Sequence, residues 1–480
     1  MNMSSEVIID RRPLWLLMLV RGYRYLLMAA LGLLAVYMYL TPPPAGLSMA
    51  GWNALILFII CVTLWVFQLL PLAITGLLAI ALQPLLGIAS YQEAYATFGH
   101  PTVFFLLGVF ILAGAFMKTG LSTRIALRML RGAGRNPRRM IFQIFVTCVV
   151  MSFIMSEHAV AAMMFPIVLE FARALAFVPY GGSFGRLLFL AMAWGCVVGG
   201  IGTLLGGGRA PLAIGFLEEF SGESISFLGW TWMVLPIVIV VFAVTYWILV
   251  KAYPVDVETV EAVDQALKKK LEGQGKMRPS EYMVVWIFSF AVLGWMVFGH
   301  QVGMATVAIL AVVLLFVFNV VRWVDLESYV NWGIILLYGG AIGLGTALHR
   351  TGAGEWLVHH YILPYITNPV VLVAVFGALA ILLTEAISNS AVVAVLMPIA
   401  LSLAPTYGID PRGMVFLIGA GSGLAFLLPM STPAVAIAYS SGYFRLRDIV
   451  LPALLLHAVS LAIMLLTAWL WWPRWGVKVF

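Results

Sequence analysis

The stretch SEHAVAAMMFPI, residues 156–167, returns 232 positions later as SNSAVVAVLMPI, residues 388–399, without a gap. Both copies lie in apolar runs too long for one membrane span, 141–178 and 366–404, and both place polar side chains at the midpoint of the run. Each run reads as a hairpin that enters and leaves on the same side, with the polar residues at its tip. The same shift lays Lys118-Thr119-Gly120 on Arg350-Thr351-Gly352 and Pro166 on Pro398. A second match, offset by 223, lays GGRAPLAI (207–214) on MSTPAVAI (430–437). Internal self-similarity of this kind reads as two copies of one structural unit, and the matched interrupted segments point to where a site would lie.

Composition agrees with a membrane reading. Of 480 residues, 63% are hydrophobic and 10% charged, a balance that a water-soluble domain cannot carry. Spans near the ~20 residues a bilayer needs are expected at 24–41, 52–70, 72–88, 102–117, 228–250, 282–299, 301–320, 333–349 and 449–472. Two further spans, 187–220 and 412–444, are interrupted by Gly and Pro. The net charge of +7 does not point to nucleic acid, because the basic residues lie in short segments between spans and not along one polar face. Cys61, Cys148 and Cys196 stand in apolar surroundings with no pair at metal-ligand spacing, which reads as packing. The N-terminus is polar and basic and lacks a small-residue cleavage site, so a retained first span is expected.

The basic residues also set an orientation. Arg11, Arg12, Arg21, Arg24, the seven from Lys118 through Arg139, Arg173, Arg186, those from Lys251 through Arg278, Arg322, Arg445 and Arg447 fall on one side of this drawing. Arg350, Arg412, Arg474 and Lys478 fall on the other. The positive-inside rule then puts the N-terminus in the cytoplasm, the first hairpin opening inward, the second opening outward and the C-terminus outside. The repeats are thereby inverted in topology.

The interrupted spans read GCVVGGIGTLLGGGRAPLAI (195–214) and GAGSGLAFLLPMSTPAVAI (419–437). Glycines free the backbone there, and Pro211, Pro429 and Pro433 keep the helix from closing. Released N–H and C=O groups can serve an anion and a cation, and irregular backbone at membrane depth is tolerated only in an interior or a watered cavity. Ser388, Asn389 and Ser390 offer hydroxyls and an amide that donate to oxyanions or ligate a hard cation through oxygen. Glu385 is either an orienting group or part of a cation path. Arg209, deep within a span, requires a partner or a cavity. Ser156, Glu157 and His158 hold the residue types of a hydrolase triad, but consecutive residues cannot align the two hydrogen bonds a triad needs. Ser422 in GAGSG with His457 evokes an intramembrane protease only faintly, and His100, His300, His349, His359 and His360 fall at span ends as interfacial residues.

TEAISNSAVVAVLMPI (384–399), FLLPMSTPAVAI (426–437), MSEHAVAAMMFPI (155–167) and LPLAITGLLAIALQPLLGI (70–88) together resemble the divalent anion:sodium symporter family, carriers of dicarboxylates, tricarboxylates and sulfate. The resemblance covers nearly the whole chain. It implies an all-α polytopic homodimer with two re-entrant hairpins and two unwound transmembrane helices, in which a transport domain moves against a scaffold like an elevator. On that plan the chain divides into a cytoplasmic N-terminus (1–23), scaffold helices (24–101), a first inverted repeat (102–226) and a scaffold helix (227–250). A cytoplasmic linker (251–281), scaffold helices (282–332), a second inverted repeat (333–448) and a last helix with the C-terminus (449–480) follow.

The resemblance implies sodium ligands at Thr384, Asn389, Ser431 and Pro433, and anion contacts at Ser388, Asn389, Ser390 and Thr432. In the first repeat Ser152 and Ser156 match, but the tip's Asn and Thr are replaced by Glu157 and His158. Arg209 stands where a Ser or Thr would touch substrate, and Leu212 and Val435 replace the Asn that ends each unwound loop.

Three mechanisms remain open at this point. Arg209 supplies a fixed charge in place of a sodium, giving fewer coupled ions or an anion exchanger; or Glu157 or His158 takes up a proton; or Arg209 clamps the anion with Glu157 holding it. The expectation is a cation-coupled secondary transporter of a dicarboxylate or sulfate-like anion in a bacterial inner membrane. It has no catalytic residues and no cofactor beyond a coupling Na+ at the second-repeat site; its partners are the anion, lipid and a second copy of the chain.

Overall fold

The computed structural model describes residues 14–480, with side chains from Gly22 onward. The expected cytoplasmic N-terminus, including Arg11, Arg12 and the side chain of Arg21, falls mostly outside the described residues. The fold is all-helical, and no strand occurs among the described residues. Nine of the described helices are long and apolar enough to cross a membrane. Leu72–Leu85, Met304–Val317 and Asn389–Leu403 are shorter apolar helices.

Each long apolar run breaks at its polar midpoint. The first gives helices Pro137–Ser152 and Glu157–Ala174; the second gives Pro369–Ala386 and Asn389–Leu403. The two hairpins use the same local chemistry 232 residues apart. Asn136 and Asn368 cap the entering helices, accepting the N–H of Arg138 at 3.0 Å and of Val370 at 2.8 Å, and each precedes a proline at the first helical position. Ser156 and Ser388 cap the returning helices, accepting the N–H of Ala159 at 3.4 Å and of Ala391 at 3.3 Å. Polar residues therefore mark the tips because a hydroxyl satisfies a freed N–H at the point where the helix restarts.

The interrupted spans also break where glycine and proline cluster. Ser183–Gly200 and Arg209–Ser221 flank an unwound stretch at 201–208; Pro411–Gly421 and Pro433–Ser440 flank one at 422–432. The second halves of these spans cross over. Arg209–Ser221 packs on Asn389–Leu403 and Pro411–Gly421, whereas Pro433–Ser440 packs on Glu157–Ala174 and Ser183–Gly200. This exchange brings both hairpin tips and both unwound stretches to one place.

The surrounding helices are held by close approach. Helices Leu72–Leu85 and Trp332–Arg350 meet where a side chain on Gly340 would collide with the backbone of Gly76, the small-residue packing that serves helices in lipid. The polar segment 251–281 is not a plain linker, since Glu261–Gly273 is a helix packed under Leu121–Leu130 and the first hairpin. Arg124 fastens it, donating to Glu281 at 2.7 Å and to the carbonyls of Gln274, Gly275 and Lys276. Lys270 also pairs with Glu170 on the first hairpin. Both extra helices are amphipathic, so a search for apolar runs passes over them.

Candidate functional site

Unwound backbone inside the protein needs a partner for each polar group, and here the partners come from both repeats. In the first unwound stretch, Trp230 donates its indole N–H to the carbonyl of Ile201 at 3.1 Å, and the N–H of Glu157 donates to the carbonyl of Gly206 at 2.9 Å. In the second, Trp194 donates to the carbonyl of Phe426 at 3.0 Å. Glu385 accepts three successive N–H groups, from Phe426 at 2.7 Å, Leu427 at 3.0 Å and Leu428 at 2.7 Å. Its other neighbour is His457, whose Nε2 lies 2.7 Å from Oε1. Of the two roles open to Glu385, this geometry is that of an orienting group. His457 faces Glu385, and Ser422 donates to the carbonyl of Gly419 at 3.3 Å, so these two do not form a catalytic pair.

Glu157 is the centre of the arrangement. It is fully buried at the first hairpin tip, and its two oxygens reach three different elements. Arg209, also buried, donates from Nη2 to Oε2 at 3.2 Å. Asn389 of the second tip donates from Nδ2 to Oε1 at 3.2 Å, and Thr432 of the second unwound stretch donates its hydroxyl to the same oxygen at 3.2 Å. No room is left around the pair: a methyl group on Gly200 would strike the Glu157 carboxylate, and one on Gly423 would strike the Arg209 guanidinium. Tyr338, from helix Trp332–Arg350, brings its hydroxyl against Gly208 beside them.

Glu157 also fixes the orientation of the Asn389 amide, because a carboxylate only accepts. Asn389 Oδ1 must then face Thr384, whose Oγ1 lies 2.8 Å from it and 2.7 Å from the carbonyl of Ser422. A hydroxyl has one hydrogen, so three oxygens converge here around a single proton. The equivalent hydroxyl in the first repeat, Ser152 Oγ, is buried with no partner among the described residues. The two halves have thus diverged at the same position.

In front of these groups lies a cavity of about 320 Å³. Its polar wall is made by His158, Asn331, Ser388, Asn389, Ser390 and Ser431. Pro433 also lines it, and Ser431 donates its hydroxyl to the carbonyl of Leu428 at 2.5 Å. His158 is about a third exposed, with Nδ1 3.7 Å from Glu157 Oε1. Of the residues singled out in the sequence, Glu157, Arg209 and Thr432 are not part of this lining, Arg209 and Thr432 each being bonded to Glu157, and Ser152 and Ser156 belong to the first hairpin rather than to the cavity lining. The cavity shares Ser388 and Ser431 with a neighbouring space of about 450 Å³ whose lining includes Arg24, Gln68 and Met430.

At the other end of Arg209–Ser221 the helices are pinned together. Thr346 donates to Glu219 at 3.2 Å, Phe220 stacks on His349 with ring centroids 4.5 Å apart, and His100 Nε2 lies 3.7 Å from Glu219 and 3.8 Å from Glu218. The sequence held no signal for Tyr338 or Trp230; the position of Trp194 inside the interrupted span 187–220, away from its ends, was the one available hint.

Comparison with known proteins places the chain among membrane transporters. The family model described as "Sodium:sulfate symporter transmembrane region" matches residues 23–477. The chain is 28% identical over 465 residues to the sodium-dependent dicarboxylate transporter SdcS of Staphylococcus saprophyticus, covering 91% of this chain and 89% of the relative. It is 27% identical over 455 residues to the protein of the same name from Staphylococcus aureus, covering 89% and 87%. Among solved structures it is similar to the Alcanivorax borkumensis YdaH transporter, with a TM-score of 0.55 and 14% identity over 79% of this chain and 87% of that one, a likeness of fold alone.

Proposed function

Because the chain belongs to the sodium:sulfate symporter family of membrane transporters, we propose that it is a secondary active carrier coupling a cation to the movement of a small carboxylate or sulfate-like anion across a bacterial inner membrane. The observation that carries the coupling is the cluster of Thr384 Oγ1, Asn389 Oδ1 and the Ser422 carbonyl, three oxygens with one hydrogen among them. A hard cation is the natural occupant of such a cluster, because it satisfies every lone pair that the single proton leaves over. Sodium is the ion in the names of the relatives, and it is the ion proposed for this site.

A second reading concerns ion count, and the first repeat favours it. The unpartnered Ser152 hydroxyl and the Glu157–Arg209 pair stand where the second repeat has its oxygen cluster, so Arg209 takes the place of a second sodium. The carrier then runs with one sodium per cycle. Alternating access fits the two ends of the site: the cavity continues toward Arg24 and Met430, while the opposite end is closed by Thr346, Phe220 and His100. With the N-terminus in the cytoplasm, this is an inward-open form, and a homodimer is the proposed assembly.

Uptake into proteoliposomes, with the sodium gradient, proton gradient and internal anion varied separately, tests the proposal. Accumulation driven by sodium with one ion per turnover is expected. If Arg209→Ser transports with the same sodium count, the replacement reading fails; if no anion moves saturably, the carrier reading fails.

A further inference from the structure

The charge and polarity of the cavity narrow the substrate. The two full charges nearest to it, on Glu157 and Arg209, face each other behind the wall, and the pair is neutral as a whole. The donors that would greet a second anionic group are already taken, because Asn389 Nδ2 and the Thr432 hydroxyl both bond to the Glu157 carboxylate. A carboxylate belonging to the protein therefore occupies the half of the cradle nearest the first hairpin.

What remains open is one polar corner. The Ser388 hydroxyl serves its helix only as an acceptor, which leaves its hydrogen free, and the His158 ring, about a third exposed, turns its buried Nδ1 toward Glu157 and leaves Nε2 as the ring nitrogen available to the cavity. Both residues line the cavity beside Ser390 and the start of helix Asn389–Leu403. Leu72, Ala73, Ile334 and Leu337 supply the apolar part of the lining, which Asn331 interrupts at the start of helix Trp332–Arg350, its Oδ1 taken by the N–H of Ile334. Among the described residues lining the cavity and its neighbour, Arg24 is the one with a fixed charge, and it is positive.

We infer that this site takes an amphipathic monovalent anion: one carboxylate against Ser388, Ser390 and His158, and a short hydrocarbon body against Leu72, Ala73, Ile334 and Leu337. A second carboxylate would meet that apolar lining with only the neutral Asn331 amide beside it and no charge in the cavity's own lining, which is where discrimination arises, since a buried charge left unpaired is costly. The inference rests on the carrier reading above and narrows its substrate class, away from the dicarboxylates in the relatives' names.

Butyrate and succinate provide a matched test, having four carbons each and differing by one carboxylate. In counterflow into proteoliposomes at fixed sodium, butyrate and 2-hydroxybutyrate should half-saturate the protein at least about tenfold below succinate. Ile334→Ser should raise the value for butyrate relative to that for succinate by about tenfold; Ala73→Ser, a smaller change, should move the ratio the same way if the first variant fails to fold. Saturable counterflow with succinate or sulfate preferred over butyrate overturns the inference and leaves the carrier reading intact. No counterflow with any of these anions, from protein that is folded by melting, overturns the carrier reading and this inference with it.

Discussion

The Glu157–Arg209 pair makes a quantitative prediction that tests the centre of the site. At 3.2 Å, two unit charges attract by about 5 kcal/mol at an effective dielectric of 20. Burial of each ion costs several kcal/mol, so the intact pair contributes little net stability. Either half alone is a different matter. Arg209→Met leaves a buried carboxylate with two neutral donors, and Glu157→Gln leaves a guanidinium walled in beside Gly423. Each single change is expected to cost about 3–5 kcal/mol, the range for breaking one side of a buried pair. The double variant Glu157→Gln/Arg209→Met, which carries neither charge, should lose less than the sum of the two by at least about 2 kcal/mol. Unfolding of the four proteins in mixed detergent micelles, followed by tryptophan fluorescence, measures the cycle. A coupling energy within about 0.5 kcal/mol of zero, the limit expected of independent sites, would refute the claim that these residues balance one another.

Three further outcomes follow from neighbouring contacts. Glu385→Ala removes the acceptor for three buried N–H groups at 426–428, each costing about 1–3 kcal/mol when unsatisfied; hydrogen exchange at those amides should rise, and sodium should no longer raise the melting temperature. Gly423→Ala drives a methyl group into the Arg209 guanidinium and should destabilise by about 1–3 kcal/mol with loss of uptake, whereas Gly273→Ala, in open space at a helix end, should leave both unchanged. Asp325, between the membrane helices, has its carboxyl pulled down to about 2 by hydrogen bonds from Arg322 and Lys118. A depressed carboxyl stabilises above its unfolded pKa of about 3.9 and loses that contribution as pH falls through the folded value, so the melting difference between wild type and Asp325→Asn should hold from pH 7 to about pH 4 and close below it.

Much of the plan was legible because the chain repeats itself. The 232-residue offset places Asn136 on Asn368 and Ser156 on Ser388, and all four turn out to be helix caps at equivalent points of the two hairpins. Glycine and proline marked the unwound stretches for the physical reason that they prevent helix closure. The cross-repeat bonds of Glu157 were not legible, since Asn389 is 232 residues away and no spacing rule relates a hairpin tip to the other repeat's tip. Glu385 offered two roles in sequence; only the three amides pointing at it choose between them. Helices Leu121–Leu130 and Glu261–Gly273 escaped because their apolar residues occupy one face and never form a run.

The departure at the first tip has a mechanical consequence as well as a chemical one. Glu157 joins the first hairpin to Arg209 of its own repeat and to Asn389 and Thr432 of the other, so all four elements of the site share one carboxylate. An ion held between repeats binds and leaves during a transport cycle, and its bonds form and break with it. A carboxylate attached to the chain does not leave with the ligand. On the carrier reading proposed above, the first-hairpin half of the site is therefore charge-balanced without a bound ion, and the groups left over for a ligand belong to the second tip. There the Ser388 hydroxyl hydrogen is free, and Thr384, Asn389 and the Ser422 carbonyl share one proton. On that reading, coupling between cation and anion draws on that half, the half whose hydrogen bonds are incomplete without a ligand.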